Sequence, residues 1–340
     1  MNRIQAGSMN TRRFDRVQRS VRAIALGSVF LSAGSCVFIS GNVNPFSRQP
    51  QPLREHTVSG SGKAKILLID VSGTITSEEE RGAFGIGRQQ GTVARVDSEL
   101  SLAEQDDDVR GVIVRINSPG GTVTASDILY DRLSRFRATR GVPVVAQLMD
   151  IAASGGYYVA LAADEIVAHP TTITGSIGVI FTGVSLEGFL EKVGVRNQTI
   201  KTGAKKDIGS PLRTMTAEER ELLEGLLGDL QDRFMGLVEE RRPSLTPETR
   251  KVISDGRVLS APQAFDAGLV DRIGYLDDTI ELTKLRAGVP EAKIILYRRP
   301  EEFAENIYSR AGLAPSEINL INLDLSSVLT EPQFLYLWMP

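Results

Sequence analysis

"VPVVAQLMDIAASGGYYVALAAD", residues 142–164, passes from an apolar run of strand length, 142–149, into a stretch of small residues that carries one serine, Ser154. Such a run between turn signals predicts a buried strand, and the small-residue stretch that starts near Ser154 predicts a helix packed close to it. The same alternation extends upstream. "KILLIDV" (65–71) and "VRGVIVRIN" (109–117) are strand-like, and "VARVDSELSLAEQ" (93–105) has helical spacing. "SDILYDRLSRFRATRG" (126–141) places Ile128, Leu129, Leu133 and Phe136 on one helical face and ends on Gly141, a C-cap signal. Parallel strands need crossover connections, so this order predicts a layered α/β domain with a largely parallel sheet.

Three glycine-bearing stretches fall where strands end: "NSPGG" (117–121), "ASGG" (153–156) and "TGSIG" (174–178). Loops at the carboxyl ends of parallel strands converge on one site. In the first stretch Pro119 fixes one φ, while Gly120 and Gly121 allow a tight path that turns successive N–H groups toward an oxygen, as an oxyanion hole requires. An ordinary turn uses the same residues. A serine at a helix start is commonly an N-cap. Around Ser154, however, Ala152, Ala153, Gly155 and Gly156 leave the hydroxyl unshielded, and helix-start N–H groups add positive potential that favours a nucleophile.

A nucleophilic serine needs a base. Of the two histidines, His56 lies in a polar stretch and His169 sits in "IVAHPTT" without a partner that would complete a Ser-His-Asp triad. A lysine stripped of water serves equally well, and "KTGAKKDIGSPLR" (201–213) offers Lys201, Lys205 and Lys206. Further on, Thr216 and Glu219 have capping-box spacing at the head of a long apolar-striped segment, 216–242, read as a packed helix.

The first 60 residues differ from the rest. Six arginines stand against one acid, Asp15, in residues 1–22, and "AIALGSVFLSAGSCVFIS" (23–40) then runs without a charge. A basic flank before a span-length segment predicts a transmembrane anchor with its N-terminus cytoplasmic. A lipoprotein signal ending at Cys36 and a cleaved signal peptide share this pattern. Residues 41–62 are rich in Pro, Gly, Ser and Asn and read as a linker. A net charge of −3 gives no general attraction to nucleic acid, and a single cysteine excludes an intrachain disulfide or a multi-thiolate zinc site. No cofactor or metal is expected.

"RINSPGG", "ASGGYYVALAAD", "TGSIGV", "KTGAKKDIGSP" and "DGRVLSAPQAFDAGLVDRIG" together resemble, in order and approximate spacing, the signal peptide peptidase SppA family, peptidase family S49. The resemblance spans about residues 64–290 and implies a Clp protease/crotonase-like fold and a Ser-Lys dyad. It implies Ser154 as nucleophile, Lys206 as general base with Lys205 as the neighbouring alternative, and Ser176 as the residue that orients the lysine. Gly120, Gly121 and Gly155 would be oxyanion donors. It also implies a homo-oligomer whose neighbouring chains share active sites, with signal peptide remnants and other membrane-associated or unfolded peptides as substrates. The expected organisation is a basic cytoplasmic segment 1–22, an anchor 23–40, a linker 41–62, a peptidase domain 63–290 and a tail 291–340 whose aromatic end, "EPQFLYLWMP", is expected to dock on a neighbouring chain as an oligomer contact or to lie near the peptide groove. The chain would be a single-pass protein of the bacterial cytoplasmic (inner) membrane, its catalytic domain on the extracytoplasmic side. A crotonase-like acyl-CoA enzyme and a noncatalytic membrane scaffold are the competing readings.

Overall fold

The computed structural model describes residues 51–78, 80–81, 88–300, 306–308 and 334–339. The chain divides into two units, Met1–Gln51 and Pro52–Pro340. The first contributes only Gln51 to the described residues, so the expected basic segment 1–22 and anchor 23–40 lie outside them. Among the described residues no helix is long and apolar enough to cross a membrane.

The strands, in chain order, are β1 (Arg54–Gly60), β2 (Lys65–Ile75), β3 (Glu80–Arg81), β4 (Arg88–Gln89), β5 (Val109–Thr122), β6 (Val144–Ala153) and β7 (Glu165–Ala168). They continue with β8 (Ile173–Gly175), β9 (Ile180–Phe181), β10 (Val258–Ser260), β11 (Arg272–Ile273), β12 (Lys293–Arg298) and β13 (Phe334–Leu337). The main sheet has the order β1-β12-β2-β5-β6-β7-β11, with β8 also on β6, β10 on β8, and β13 joined to β5 and β9. The central pairs are parallel, with Leu68 beside Ile113, Ile113 beside Val145 and Ala146 beside Ile166. Helices Thr92–Glu104, Val123–Arg140 and Gly155–Ala160 make the crossovers between them. Because these strands are covered on both faces, their apolar runs are continuous rather than alternating, and Ile66 to Ile69 are all buried.

The helix Val123–Arg140 is punctuated as expected at its end. Gly141 takes the left-handed conformation (φ 61°), while the Thr122 hydroxyl caps the start by accepting from Ala125 N–H. Leu129, Leu133 and Phe136 are buried, but Ile128 is exposed, since 129, 133 and 136 define a stripe that leaves 128 at its margin. The capping box of Thr216 and Glu219 is formed at the head of the helix Ala217–Arg241.

The sheet reaches beyond the expected domain limits on both sides. β1, from the expected linker, pairs antiparallel with β12, and β12, from the expected tail, pairs parallel with β2. β1 reads as a tether because it is an edge strand whose side chains mostly face solvent, held on one side by its ladder with β12. β12 is held by Ile294, Ile295 and Leu296 in the core and by buried Arg298, which pairs with Asp70 of β2 and Glu99. Asp70 also accepts from Arg115 of β5 at 2.6 Å, so three strands share one buried carboxylate. Buried ions persist only when paired in this way.

Candidate active site

The residues singled out on chemical grounds meet where β5, β6 and β8 end. Residues 151–153 of β6 run parallel to residues 173–175 of β8, so Ser154 and Ser176 leave adjacent strands at one level. Ser154 N–H donates to Gly175 O at 2.8 Å, tying the ASGG turn to the TGSIG turn. Both serines have positive φ, 52° for Ser154 and 50° for Ser176, the only non-glycine residues to do so among those described. A left-handed backbone at a residue with a side chain costs roughly 1–3 kcal/mol and persists where surroundings impose it, commonly at functional sites.

Ser154 occupies the N-cap position of the helix Gly155–Ala160, yet its hydroxyl makes no capping bond. That sets it apart from Thr122, Thr216, Thr246 and Ser260, whose side chains all cap their helices. The Ser154 hydroxyl instead donates to Gly178 O over a long 3.5 Å, and the residue is almost fully buried. A sharp strand-to-helix turn with an uncommitted hydroxyl is how a nucleophile is presented.

The SPGG stretch ends β5 beside it. Ser118 Oγ donates to Gly73 O at 2.6 Å, and Gly120 N–H donates to Ser118 Oγ at 3.0 Å. One expected oxyanion donor is thus turned onto a neighbouring hydroxyl in this structure. Gly120 has φ 109°; a Cβ there would stand 2.8 Å from Gly155 N and overlap the Tyr336 carbonyl oxygen, while a Cβ on Gly121 would overlap Ile75 O. Close backbone approach, not turn chemistry alone, therefore requires both glycines. Gly120→Ala is expected to lower stability by about 1–3 kcal/mol and kcat/KM by about 10²-fold. Denaturant midpoints and peptide-cleavage kinetics check the pair of effects, and parental kinetics in a folded variant would remove Gly120 from the site.

The lysine loop is built around Arg213. Its guanidinium bridges Asp207 and Glu219, both at 2.6 Å, and holds the Glu219 carboxyl down to about 2, with help from the Thr216 N–H. Arg213, then Lys201, hold Asp207 well below the usual carboxylate range. Carboxyls depressed in the folded state stabilise it above their ordinary values, and that contribution disappears as pH falls through the folded ones; for Glu219 the window runs from 4.5 down to about 2. Lys201 pairs with Asp207 at 2.5 Å and Lys205 with Glu218 at 2.6 Å. Lys206 is exposed, and among the described residues its ammonium has no hydrogen-bond or ion-pair partner. Within one chain, then, the structure brings Ser154, Ser176, Gly120, Gly121 and Gly155 together but does not bond Lys206 to Ser154.

His169 is engaged elsewhere: its Nδ1 lies 2.8 Å from Thr171 Oγ1 and its ring packs edge-on against Tyr275. His56 belongs to β1, at the far edge of the sheet. A cleft of about 330 Å³ between the lysine loop and β9 is lined by Phe181, Ser210, Arg213 and Leu223, and Ser154 is not among its walls. Among the described residues no group of three or more His, Cys, Asp or Glu side chains is placed to hold a metal ion. The aromatic tail, expected on a neighbouring chain or near the peptide groove, forms β13, whose residues 335–337 pair with 120–122.

The family model described as peptidase family S49 matches residues 137–290, and that of Clp protease matches 79–173. A protein of Enterococcus faecium named "Putative signal peptide peptidase SppA" is 34% identical over 239 residues, 70% of this chain and 68% of that one. The chloroplastic serine protease SPPA of Arabidopsis thaliana is 33% identical over 252 residues, 68% of this chain and 37% of its own length. Protease 4 of Salmonella typhi is 35% identical over 224 residues, 64% of this chain and 36% of its own. The acyl-CoA enzyme and the noncatalytic scaffold are thereby set aside. With its Clp protease-like α/β fold of mostly parallel strands, the chain belongs to peptidase family S49 and is a serine endopeptidase.

Proposed function

We propose that this chain is a membrane-anchored Ser-Lys endopeptidase that degrades cleaved signal peptides and other membrane-associated or unfolded peptides. The observation that carries the reading is Ser154 itself: buried, at positive φ on a strand-to-helix turn, with a hydroxyl that caps nothing. In the reaction, Ser154 Oγ attacks the scissile carbonyl carbon while its proton passes to the neutral amine of Lys206. The Gly155 N–H holds the oxyanion together with that of Gly120, which exchanges Ser118 Oγ for the new acceptor. The lysine returns its proton to the departing amine. Water, activated by the same amine, then releases the acyl group and restores the serine.

Lys206 is supplied by a second copy of the chain. Two observations support this: among the described residues Lys206 alone of the three loop lysines carries no acid partner, and among them no lysine of the same chain bonds Ser154. Packing against another copy would also strip the amine of water, as a base requires. The loop's neighbourhood is suited to such a contact, since Phe189, Val193, Val195 and Ile200 are all exposed. Ser176, beside Ser154 at the same sheet level, orients the incoming amine. Residues 23–40 anchor the chain with the peptidase unit on the extracytoplasmic face, where signal peptide remnants lie in the same membrane.

A serine-directed fluorophosphonate tests the assignment on the detergent-solubilised full-length chain. Labelling is expected on the peptide that contains Ser154, with peptide cleavage lost in proportion. Labelling at a different serine, or full cleavage activity after Ser154 is labelled, would overturn it.

A further inference from the structure

The turn that carries Ser176 and Gly178 is held by three separate segments. Ser154 N–H donates to Gly175 O, and Ser176 N–H donates to Arg257 O at 2.7 Å, one residue ahead of β10. The third hold comes from outside the sheet. Gln231, on the helix Ala217–Arg241, donates through Nε2 to Ile177 O at 3.2 Å and to Ser254 O at 3.4 Å. Ile177 itself is fully buried. One amide therefore ties the helix both to the turn and to the segment 254–257, whose Arg257 O holds Ser176.

The other half of that amide is unused. Gln231 Oε1 is buried beside Gly178, 3.8 Å from where a Cβ on that glycine would stand, and has no hydrogen-bond partner among the described residues. Rotating the amide does not help, because its oxygen would then face two carbonyl oxygens. A buried acceptor without a donor destabilises the fold by about as much as the bond to Ile177 O stabilises it, or more. Methionine, of similar shape and helix propensity, carries no such acceptor. Stability alone thus gives glutamine no advantage at 231, whereas a donor aimed at the turn does. That turn presents Gly178 O to the Ser154 hydroxyl and holds Ser176 at φ 50°.

We propose that Gln231 is a positioning residue of the active site: its amide N–H group fixes the 176–178 turn, so that Gly178 O and the Ser176 hydroxyl meet Ser154 and the incoming Lys206 amine in the right geometry. It acts through the backbone of Ile177 and Ser254. The inference rests on the peptidase reading above, since it takes Ser154 as nucleophile and Ser176 as the residue that orients the base.

Full-length Gln231→Met and Gln231→Glu chains, compared with the parent in detergent, provide the test. Both keep the length of the side chain; methionine removes the donor, and a carboxylate replaces it with a charge that repels the Ile177 and Ser254 carbonyls. Peptide-cleavage kcat is expected to fall about 10-fold in Gln231→Met and further in Gln231→Glu, with KM within about 3-fold of the parent. Fluorophosphonate labelling of Ser154 should slow by the same factor as kcat, because it reports the nucleophile without a bound peptide. The denaturation midpoint of Gln231→Met should stay at the parent value, since the lost bond and the lost orphan acceptor offset each other. Gln231 is half-buried on the helix, so neither substitution opens a core cavity. Parental kcat in folded Gln231→Met would overturn the proposal, as would a loss carried by KM alone or one that vanishes after correction for unfolded chain. Should both variants fail to fold, Gln231→Asn, whose amide falls one methylene short of Ile177 O, carries the same expectation and the same refutation. The two readings fail differently: an unlabelled Ser154 in the parent chain removes the peptidase reading, whereas a labelled parent beside an unaffected Gln231→Met removes only the positioning role.

Discussion

Ser154→Ala is expected to lower kcat/KM for an extended peptide by about 10³-fold or more while leaving the denaturation midpoint close to that of the parent chain. The two halves follow from different features of one residue. On the proposed mechanism, activity falls because the oxygen that would form the acyl-enzyme is gone and Lys206 has no proton to accept. Stability is nearly untouched because the hydroxyl makes only a long 3.5 Å bond to Gly178 O and caps no helix. Alanine meets the same positive φ that serine already tolerates, so the backbone strain is carried over unchanged. Substituting a capping hydroxyl instead, as in Thr216→Ala, typically costs about 1 kcal/mol, which gives the denaturant experiment an internal scale. Parental kcat/KM in folded Ser154→Ala would end the nucleophile assignment outright.

The contrast between Ser154 and Thr216 also shows what a sequence encodes openly. Capping boxes, the Gly141 stop and the apolar runs of β2, β5 and β6 are legible because spacing and residue type determine them locally. The strand–helix alternation followed directly, and with it the parallel sheet. Nothing local shows that Ser154 and Ser176 adopt positive φ, because the sheet imposes that conformation through the pairing of 151–153 with 173–175. Nor does spacing reveal that Ser118 takes the Gly120 N–H.

The sheet's outer strands were obscured for a related reason. β1 is polar because it lies at an edge, so its composition matches that of a tether. β12 and β13 acquire their partners only across long stretches of chain, β12 from β2 and β13 from β5 and β9. The glycines at 120 and 121 read in the sequence as a turn that points N–H groups at an oxygen, whereas in the structure both lie at the end of β5 and the Gly120 N–H donates to Ser118 Oγ. Their second purpose, admitting the backbones of Ile75 and Tyr336, is visible only once the folded strands stand beside them.

Co-expression of Ser154→Ala and Lys206→Ala chains is expected to restore about a quarter of the parent activity, although each variant alone falls by about 10³-fold. A site that draws its serine from one chain and its lysine from another is intact only when both donors happen to be unmutated at the relevant position. Random assembly of equal amounts gives half times half. A dyad confined to one chain recovers nothing, because every chain in the mixture lacks one member. The lysine loop makes the first outcome the expected one: Lys201 and Lys205 are spent on Asp207 and Glu218, while Lys206 stands exposed without an acid partner among the described residues. Lys205→Ala supplies the control, with an expected change below about 3-fold, as for an exposed ion pair. Co-purified mixed assemblies with no recovery would exclude sharing between chains, and a loss seen in Lys205→Ala but not in Lys206→Ala would move the base by one residue.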